Sequence, residues 1–385
     1  MAPFGYARYH RGMGFPGFHW LTVLAALAAC MVPARAQTFS NPIGNGADPW
    51  VMRHEGQYLM CQSGGGGIRV SKASKLEDIG RASRTDVWKA PATGEWSKEL
   101  WAPELHRIDG KWYVYVAADD GDNFNHRMYV LEGNTQDPQG AYTFKGKIAA
   151  KTDRWAIDGS VLSHGGKNYF IWSGWEGTVN VKQDIYIAAM SNPWTISGER
   201  VRISSPDREW EKRGGSPSIN EGPEALTRGG ETFIIYSASG SWSDFYCLGR
   251  LHLTGKDPLD SASWTKHPQP VFSPTDEVFG PGHCSFTKSP DSSEDWIIYH
   301  AAVESGSGWV RNIRIQRFAW DAKGIPVFGD PIPTGVPQAV PSNGSNALHG
   351  PGGKPMGGPF ARPEAGMLWS APQGEDALGR SPLFP

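Results

Sequence analysis

One unit recurs five times along this chain, and that recurrence limits the fold more than any other feature. The copies are DPWVMRHEGQYLM (48–60), WAPELHRIDGKWYVYVAA (101–118), IDGSVLSHGGKNYFIWSG (157–174), EGPEALTRGGETFIIYSASG (221–240) and GPGHCSFTKSPDSSEDWIIYHA (280–301). Each opens on a polar residue beside Pro or Gly and continues as an alternating apolar stretch. It then turns on Gly, Asp or Ser and closes with a β-branched and aromatic strand. That pattern is a β-hairpin every time. The spacing between copies leaves room for two further strands, and RMYVLEG (127–133) and DIYIAAM (184–190) are suited to them. The expectation is an all-β chain, a five-bladed β-propeller with four-stranded antiparallel blades. A β-sandwich would not explain the repetition of whole units.

In such a ring the openings of the five inner strands converge on one mouth. Here they carry Asp48, Glu104, Asp158, Glu221 with Glu224, and His283. Acids often cap exposed turns, but like charges at one mouth repel, so five converging polar groups point to chemistry. The chain has 48 Gly, 30 Pro and 17 Trp. The Gly and Pro supply turns. The Trp serve as core or as flat faces for sugar rings. Trp101 is a candidate pocket wall; Trp172 and Trp175 could form a rim, although packing suits them better.

A formal net charge of −2 without like-charge blocks excludes a nucleic-acid stripe or a polybasic membrane face. Gly64–Gly67 lacks the Lys and Ser/Thr of a phosphate-binding loop, and no Cys/His spacing suggests zinc. Residues 1–36 read as a signal peptide: Arg8 and Arg11, an apolar run over 20–31, then Ala34-Arg35-Ala36. Leu27-Ala28-Ala29-Cys30 alternatively resembles a lipoprotein box, with Cys30 lipidated. Either route exports the chain, and no later run is long enough to span a bilayer as a helix. Of Cys61, Cys247 and Cys284, at most one disulfide can form, and Cys247–Cys284 is the pair to test. The propeller domain is placed at 37–341. The Gly/Pro-rich segment 342–385 reads as a disordered tail.

The five openings also carry a resemblance. ADP (47–49), WAPE (101–104), IDGS (157–160), EGPE (221–224) and GHCSF (282–286) come in the order and at about the spacing of glycoside hydrolase family 43, over roughly residues 40 to 336. Those enzymes are five-bladed propellers that cleave arabinosides and xylosides. YCLG (246–249) and RNIRIQ (311–316) look closest to exo-α-1,5-L-arabinofuranosidases. The resemblance implies an inverting enzyme with Asp48 as general base, Glu221 as general acid and Asp158 as the carboxylate that orients the acid and tunes it. It selects Glu221 over Glu224, because the family's acid directly precedes Gly-Pro. It further implies that Arg311 contacts the sugar and that His283 supports a channel calcium or a water cluster; no cofactor is required for the chemistry. The substrates it implies are plant cell-wall arabinan, arabinoxylan or their oligosaccharides.

Inversion needs a base that activates water on the face opposite the acid, with carboxyls about 6.5–9.5 Å apart. A charged Asp158 would help Glu221 keep its proton. His300 and Tyr236 read as structural. Within the family, a β-xylosidase or an endo-arabinanase is the alternative. Outside it stand a non-catalytic sugar-binding propeller, which would not need three carboxylates, and a fructan hydrolase or a phosphorylase.

Overall fold

The computed structural model describes residues 37–344. Apart from four 3₁₀ turns of three to six residues, its regular elements are β-strands. Sheet one holds Trp50–His54, Gln57–Gly64, Gly67–Ala73 and Arg84–Lys89. Sheet two holds Lys98–Ile108, Lys111–Asp119, Arg127–Gly133 and Tyr142–Ile148. Sheet three holds Ala156–His164, Lys167–Gly174, Lys182–Asn192 and Thr195–Ser204. Sheet four holds Ser218–Arg228, Glu231–Ala238, Cys247–Leu253 and Trp264–Lys266. A short parallel pairing of Lys182 and Gln183 with Ser218 and Ile219 joins sheets three and four. The five predicted hairpins are the first two strands of each sheet, and the two predicted outer strands are the third strands of sheets two and three.

The fifth sheet is assembled from both ends of the described chain. Gly282–Lys288, Asp295–Ala302 and Arg311–Trp320 pair in order, and Gly44–Asn45 adds on as the last strand. Thr38–Ser40 also pairs with Pro337–Ala339. Of the segment RIQRFAWDAKGIPVFG (314–329), residues 314–320 belong to the third strand and Pro326–Val327 pairs back on it, while the N-terminal segment adds the last strand on the main path.

The cores explain why the sheets form a ring. Leu59 and Val70 pack with Leu105 and Val114 between sheets one and two, and Tyr115 and Val130 with Phe170 between two and three. Ile171 meets Ile234 between three and four, and Ile235 meets Ile297 between four and five. Val51 and Met60 meet Ile298 and Ile313 between five and one, which closes the circuit. A second strand such as Lys111–Asp119 is apolar on both faces because a neighbouring sheet covers each. The outermost strand Tyr142–Ile148 alternates exposed and covered positions, as an edge does.

Cys61, Cys247 and Cys284 are all buried and free. The Cys247–Cys284 bridge does not form: Cys247 Sγ instead lies 3.7 Å from the Ala238 carbonyl, and burial pushes its thiol up to about 12. Trp172 and Trp175 are core residues, and Trp175 stacks on Trp155 with centroids 4.7 Å apart. Segment 1–36, with the signal and Cys30, lies outside the described residues, as does most of the tail. At its start, Ser342 is held by hydrogen bonds to Asp291 and Glu294.

Candidate active site

Near the opening of each inner strand stands a residue with left-handed φ. Asp48, Ala102, Asp158, Gly222 and His283 are the corresponding residues of the five strands, and every one has φ between 41° and 54°. In sheets two to five the strand gains one residue against its partner there: Trp101 and Glu104 face Ala117 and Tyr115, while Glu221 and Glu224 face Ser237 and Ile235. A bulge re-aims side chains at a sheet end, and here His283 Nδ1 comes within 3.3 Å of Asp48 Oδ1 and 4.0 Å of Asp158 Oδ2. Gly222 combines a positive φ with a tight neighbour, since a Cβ there would lie 3.1 Å from His283 Nδ1.

The bulge splits the polar residues that the repeats align. Asp158 and His283 stand on the bulge itself, Asp48 has the same left-handed φ just ahead of sheet one, and Glu221 stands one residue before the bulge of its strand. Trp101 shares Glu221's register position in its own strand. Glu104 and Glu224 lie two residues past the bulge, level with Ser160, and so form a deeper layer. The expectation of one carboxylate per opening at a single corresponding position is therefore corrected to two layers.

In the upper layer Asp48 and its partners come from opposite sides of one seam. Asp48 Oδ1 lies 3.3 Å from His283 Nδ1, 3.3 Å from His300 Nδ1 and 3.5 Å from Arg311 Nη1. The Asp48 backbone N–H donates to His300 Nδ1 at 3.1 Å. Burial works to raise the Asp48 carboxyl, but His283, His300 and Arg311 outweigh it and hold the group well below the usual carboxylate range. Arg311 is the permanently charged member of the three. Its Nη2 donates to the Ser241 carbonyl at 2.7 Å, which fixes its reach. A pocket of ≈ 150 Å³ opens beside Asp48, between Asn45, Gln62, Arg84 and the Ala102–Pro103 turn.

Glu221 is 7% exposed and sits in a different environment. Its Oε1 accepts the Tyr246 hydroxyl at 2.7 Å. Tyr246 occupies space that a side chain at Gly282 would fill, because a Cβ there would come within 2.2 Å of its ring. Burial raises the Glu221 carboxyl to about 7; Tyr246 and Arg311 pull it down, and the Asp48 charge pushes it up. Asp158 lies beside it, with Oδ2 accepting the Gly222 N–H at 3.0 Å and standing 4.0 Å from His283 Nδ1. Burial, then Glu221 and Asp48, push Asp158 well above the ordinary range, and the Gly222 N–H offsets part of this. Asp158 was expected to stay charged; burial and its two acidic neighbours push it toward the neutral form, so it titrates as a pair with Glu221. One layer thus holds an ionised carboxylate and, beside it, a carboxyl pair that retains a proton between its members, an arrangement suited to base and acid work together.

The model of the glycosyl hydrolases family 43 matches residues 39–326. The chain belongs to that family. It is 37% identical over 338 residues to the extracellular exo-α-(1→5)-L-arabinofuranosidase of Streptomyces avermitilis, covering 82% of this chain and 70% of the relative. It is 35% identical to the α-L-arabinofuranosidase 43 of Humicola insolens, covering 84% and 71%. Among solved structures, the α-L-arabinofuranosidase from Lactobacillus brevis superposes with a TM-score of 0.73 at 33% identity, over 77% of this chain and 98% of that one.

Among the remaining predicted residues of this family 43 member, Trp101 is half-buried. It stacks on His126 with centroids 4.0 Å apart, and its indole N–H donates to Glu99 at 3.1 Å. His283 faces two carboxylates, and its backbone N–H donates to Ser237 Oγ at 2.8 Å. Calcium takes six to eight oxygen ligands. Among the described residues no three His, Cys, Asp or Glu side chains are grouped to hold a metal ion. Tyr236 is structural, donating to Glu211 at 2.8 Å. His300, read as structural, belongs to the site through Asp48. Tyr246 and Ser241 were not singled out from the sequence. Tyr246 heads the YCLG segment, so a signal for it was present; nothing marked Ser241.

Proposed function

We propose that this chain is an exported, inverting exo-α-L-arabinofuranosidase that removes terminal arabinofuranosyl units from arabinan, arabinoxylan or their oligosaccharides. The observation that carries the reading is the opposite perturbation of Asp48 and Glu221 within one layer of a family 43 site. The ring of five sheets is read as a five-bladed propeller whose mouth is the substrate pocket. The names of the relatives above support the sugar.

In this reading Glu221 donates its proton to the glycosidic oxygen as the bond to the anomeric carbon breaks. Asp48 takes a proton from a water that attacks the same carbon from the opposite face, so configuration inverts. Asp158 positions Glu221 through the Gly222 N–H and shares its proton. Arg311 keeps Asp48 ionised and faces the sugar held there, with Trp101 as a wall of the pocket. A purely sugar-binding ring would gain nothing from forcing two carboxyls into opposite protonation states.

The test is hydrolysis of p-nitrophenyl α-L-arabinofuranoside and β-D-xylopyranoside by the mature chain beside Glu221→Gln, with the anomer of the first product followed by NMR. Release from the arabinoside, loss in the variant and an inverted product support the reading. Preference for the xyloside overturns the sugar, and a retained anomer overturns the mechanism.

A further inference from the structure

Glu211 ends the short turn Glu209–Glu211 ahead of sheet four, and it is fully buried. Its Oε1 accepts from Lys266 Nζ at 2.9 Å, from the Tyr236 hydroxyl at 2.8 Å and from Asn220 Nδ2 at 3.0 Å. Its Oε2 accepts from Lys266 Nζ at 3.1 Å and from the Arg208 N–H at 2.8 Å. Asn220 is as enclosed as Glu211. Its Oδ1 accepts the Ser204 hydroxyl at 2.6 Å, and its backbone carbonyl accepts the Ser173 hydroxyl at 2.9 Å. Ser173 and Ser204 belong to sheet three, so this web ties sheet four to its neighbour.

Replacing a buried ion pair by apolar side chains is often neutral or stabilising, so cohesion alone does not account for Glu211 and Lys266. Their place along the strands does. Successive side chains of a strand point to opposite faces. Asn220 directly precedes Glu221, and Tyr236 directly precedes Ser237, the residue that faces Glu221 across the hairpin. Glu211 therefore grips the residue before the acid and the residue before the acid's cross-strand partner. Ser237 Oγ in turn accepts the His283 N–H at 2.8 Å, and His283 Nδ1 lies 3.3 Å from Asp48. One buried carboxylate thus fixes the backbone under Glu221 and, through Ser237 and His283, its relation to Asp48. A general acid works only within hydrogen-bond reach of the oxygen it protonates, and a displacement of about 1 Å can cost about 10²-fold in rate.

We propose that Glu211, acting through Asn220, is a positioning residue for the general acid, so that the web behind sheet four sets the rate of proton delivery to the leaving group. This rests on the reading of Glu221 as the acid. Asn220→Ala cuts the link and leaves the Glu211–Lys266 pair in place; Glu211→Gln weakens the web as a whole. Each is compared with the wild type and with Glu221→Gln on α-1,5-arabinobiose, whose leaving alcohol needs a proton, and on 2,4-dinitrophenyl α-L-arabinofuranoside, whose leaving phenolate does not. Both rates are taken on one preparation, so any loss of folded enzyme cancels in their ratio. Asn220→Ala is expected to lose about tenfold in kcat on arabinobiose and less than about twofold on the dinitrophenyl glycoside, with KM unchanged on both. Glu211→Gln is expected to move the ratio in the same direction. Equal losses on both substrates, or none on either, overturn the positioning role. A bias in Glu221→Gln without one in Asn220→Ala overturns that role alone, whereas no bias in Glu221→Gln overturns the acid reading and the positioning role with it.

Discussion

Two carboxylate clusters lie in successive layers of the same inner strands, and their fates differ. The upper one, Asp48, Asp158 and Glu221, contains a guanidinium, and Asp48 is ionised. The lower one contains Glu104, Glu224, His106 and Ser160. His106 Nε2 lies 2.8 Å from Glu104 Oε2, and the Ser160 hydroxyl donates to Glu224 Oε2 at 3.1 Å. Burial raises Glu104 to about 8 and Glu224 well above its ordinary value, and lowers His106 to about 4. At neutral pH the lower layer is an uncharged, hydrogen-bonded plug. Burial acts on both layers alike; what separates them is the set of His283, His300 and Arg311 around Asp48, of which Arg311 is the permanently charged member. That is why the upper layer keeps an ionised carboxylate, while the lower one links sheets two, three and four through Glu104, Ser160 and Glu224.

The largest expected effect separates Glu221 from Glu224. Glu221→Gln should lower kcat on an α-L-arabinofuranoside by about 10²–10⁴-fold, the range for losing a general acid, with Glu224→Gln staying within about tenfold of the wild type. Comparable losses would erase the distinction between layers. Next, wild-type activity should fall as pH rises through about 7, where Glu221 loses its proton. Asp158→Asn removes the partner that shares that proton, so the basic limb of kcat/KM should move to lower pH; an unmoved limb would show that Asp158 acts only by position.

The lower layer should instead be visible in stability. Its acids have raised folded values, so their contribution is fully present below about 4.5 and is lost as pH rises through about 8. Glu104→Gln should therefore lose less Tm than the wild type between pH 5 and pH 9, by a few degrees (~3 °C). An identical slope would mean that the plug does not titrate. The smallest effect expected is that of Tyr246→Phe. The hydroxyl favours ionised Glu221, so its removal should shift the basic limb upward by less than about one pH unit. A downward shift would reverse that assignment.

Much of this was readable beforehand. Alternation and turn residues located the hairpins, and the residues flanking Pro and Gly located Asp48, Asp158 and Glu221. The two layers were not readable. A bulge inserts one residue, and when Ala102, Asp158 or His283 occupies its left-handed position, composition gives no sign of it. Aligning letters therefore placed Glu104 level with Asp158. His300 and Ser241 were hidden because their partners, Asp48 and Arg311, lie 252 and 70 positions away. Gly44–Asn45 is a two-residue strand, too short to show any period.

That last strand has a consequence for how activity arises. Asn41 exchanges both amide hydrogen bonds with Ile315 across 274 positions, and Ser285 Oγ binds Val51 and Pro49 over the same junction. Asp48 belongs to one bank of this junction, and His283, His300 and Arg311 to the other. Before the two banks meet, Asp48 is an ordinary carboxylate with none of the partners that tune it. Catalytic competence is thus created by circularisation, and turnover reports whether the ring has shut.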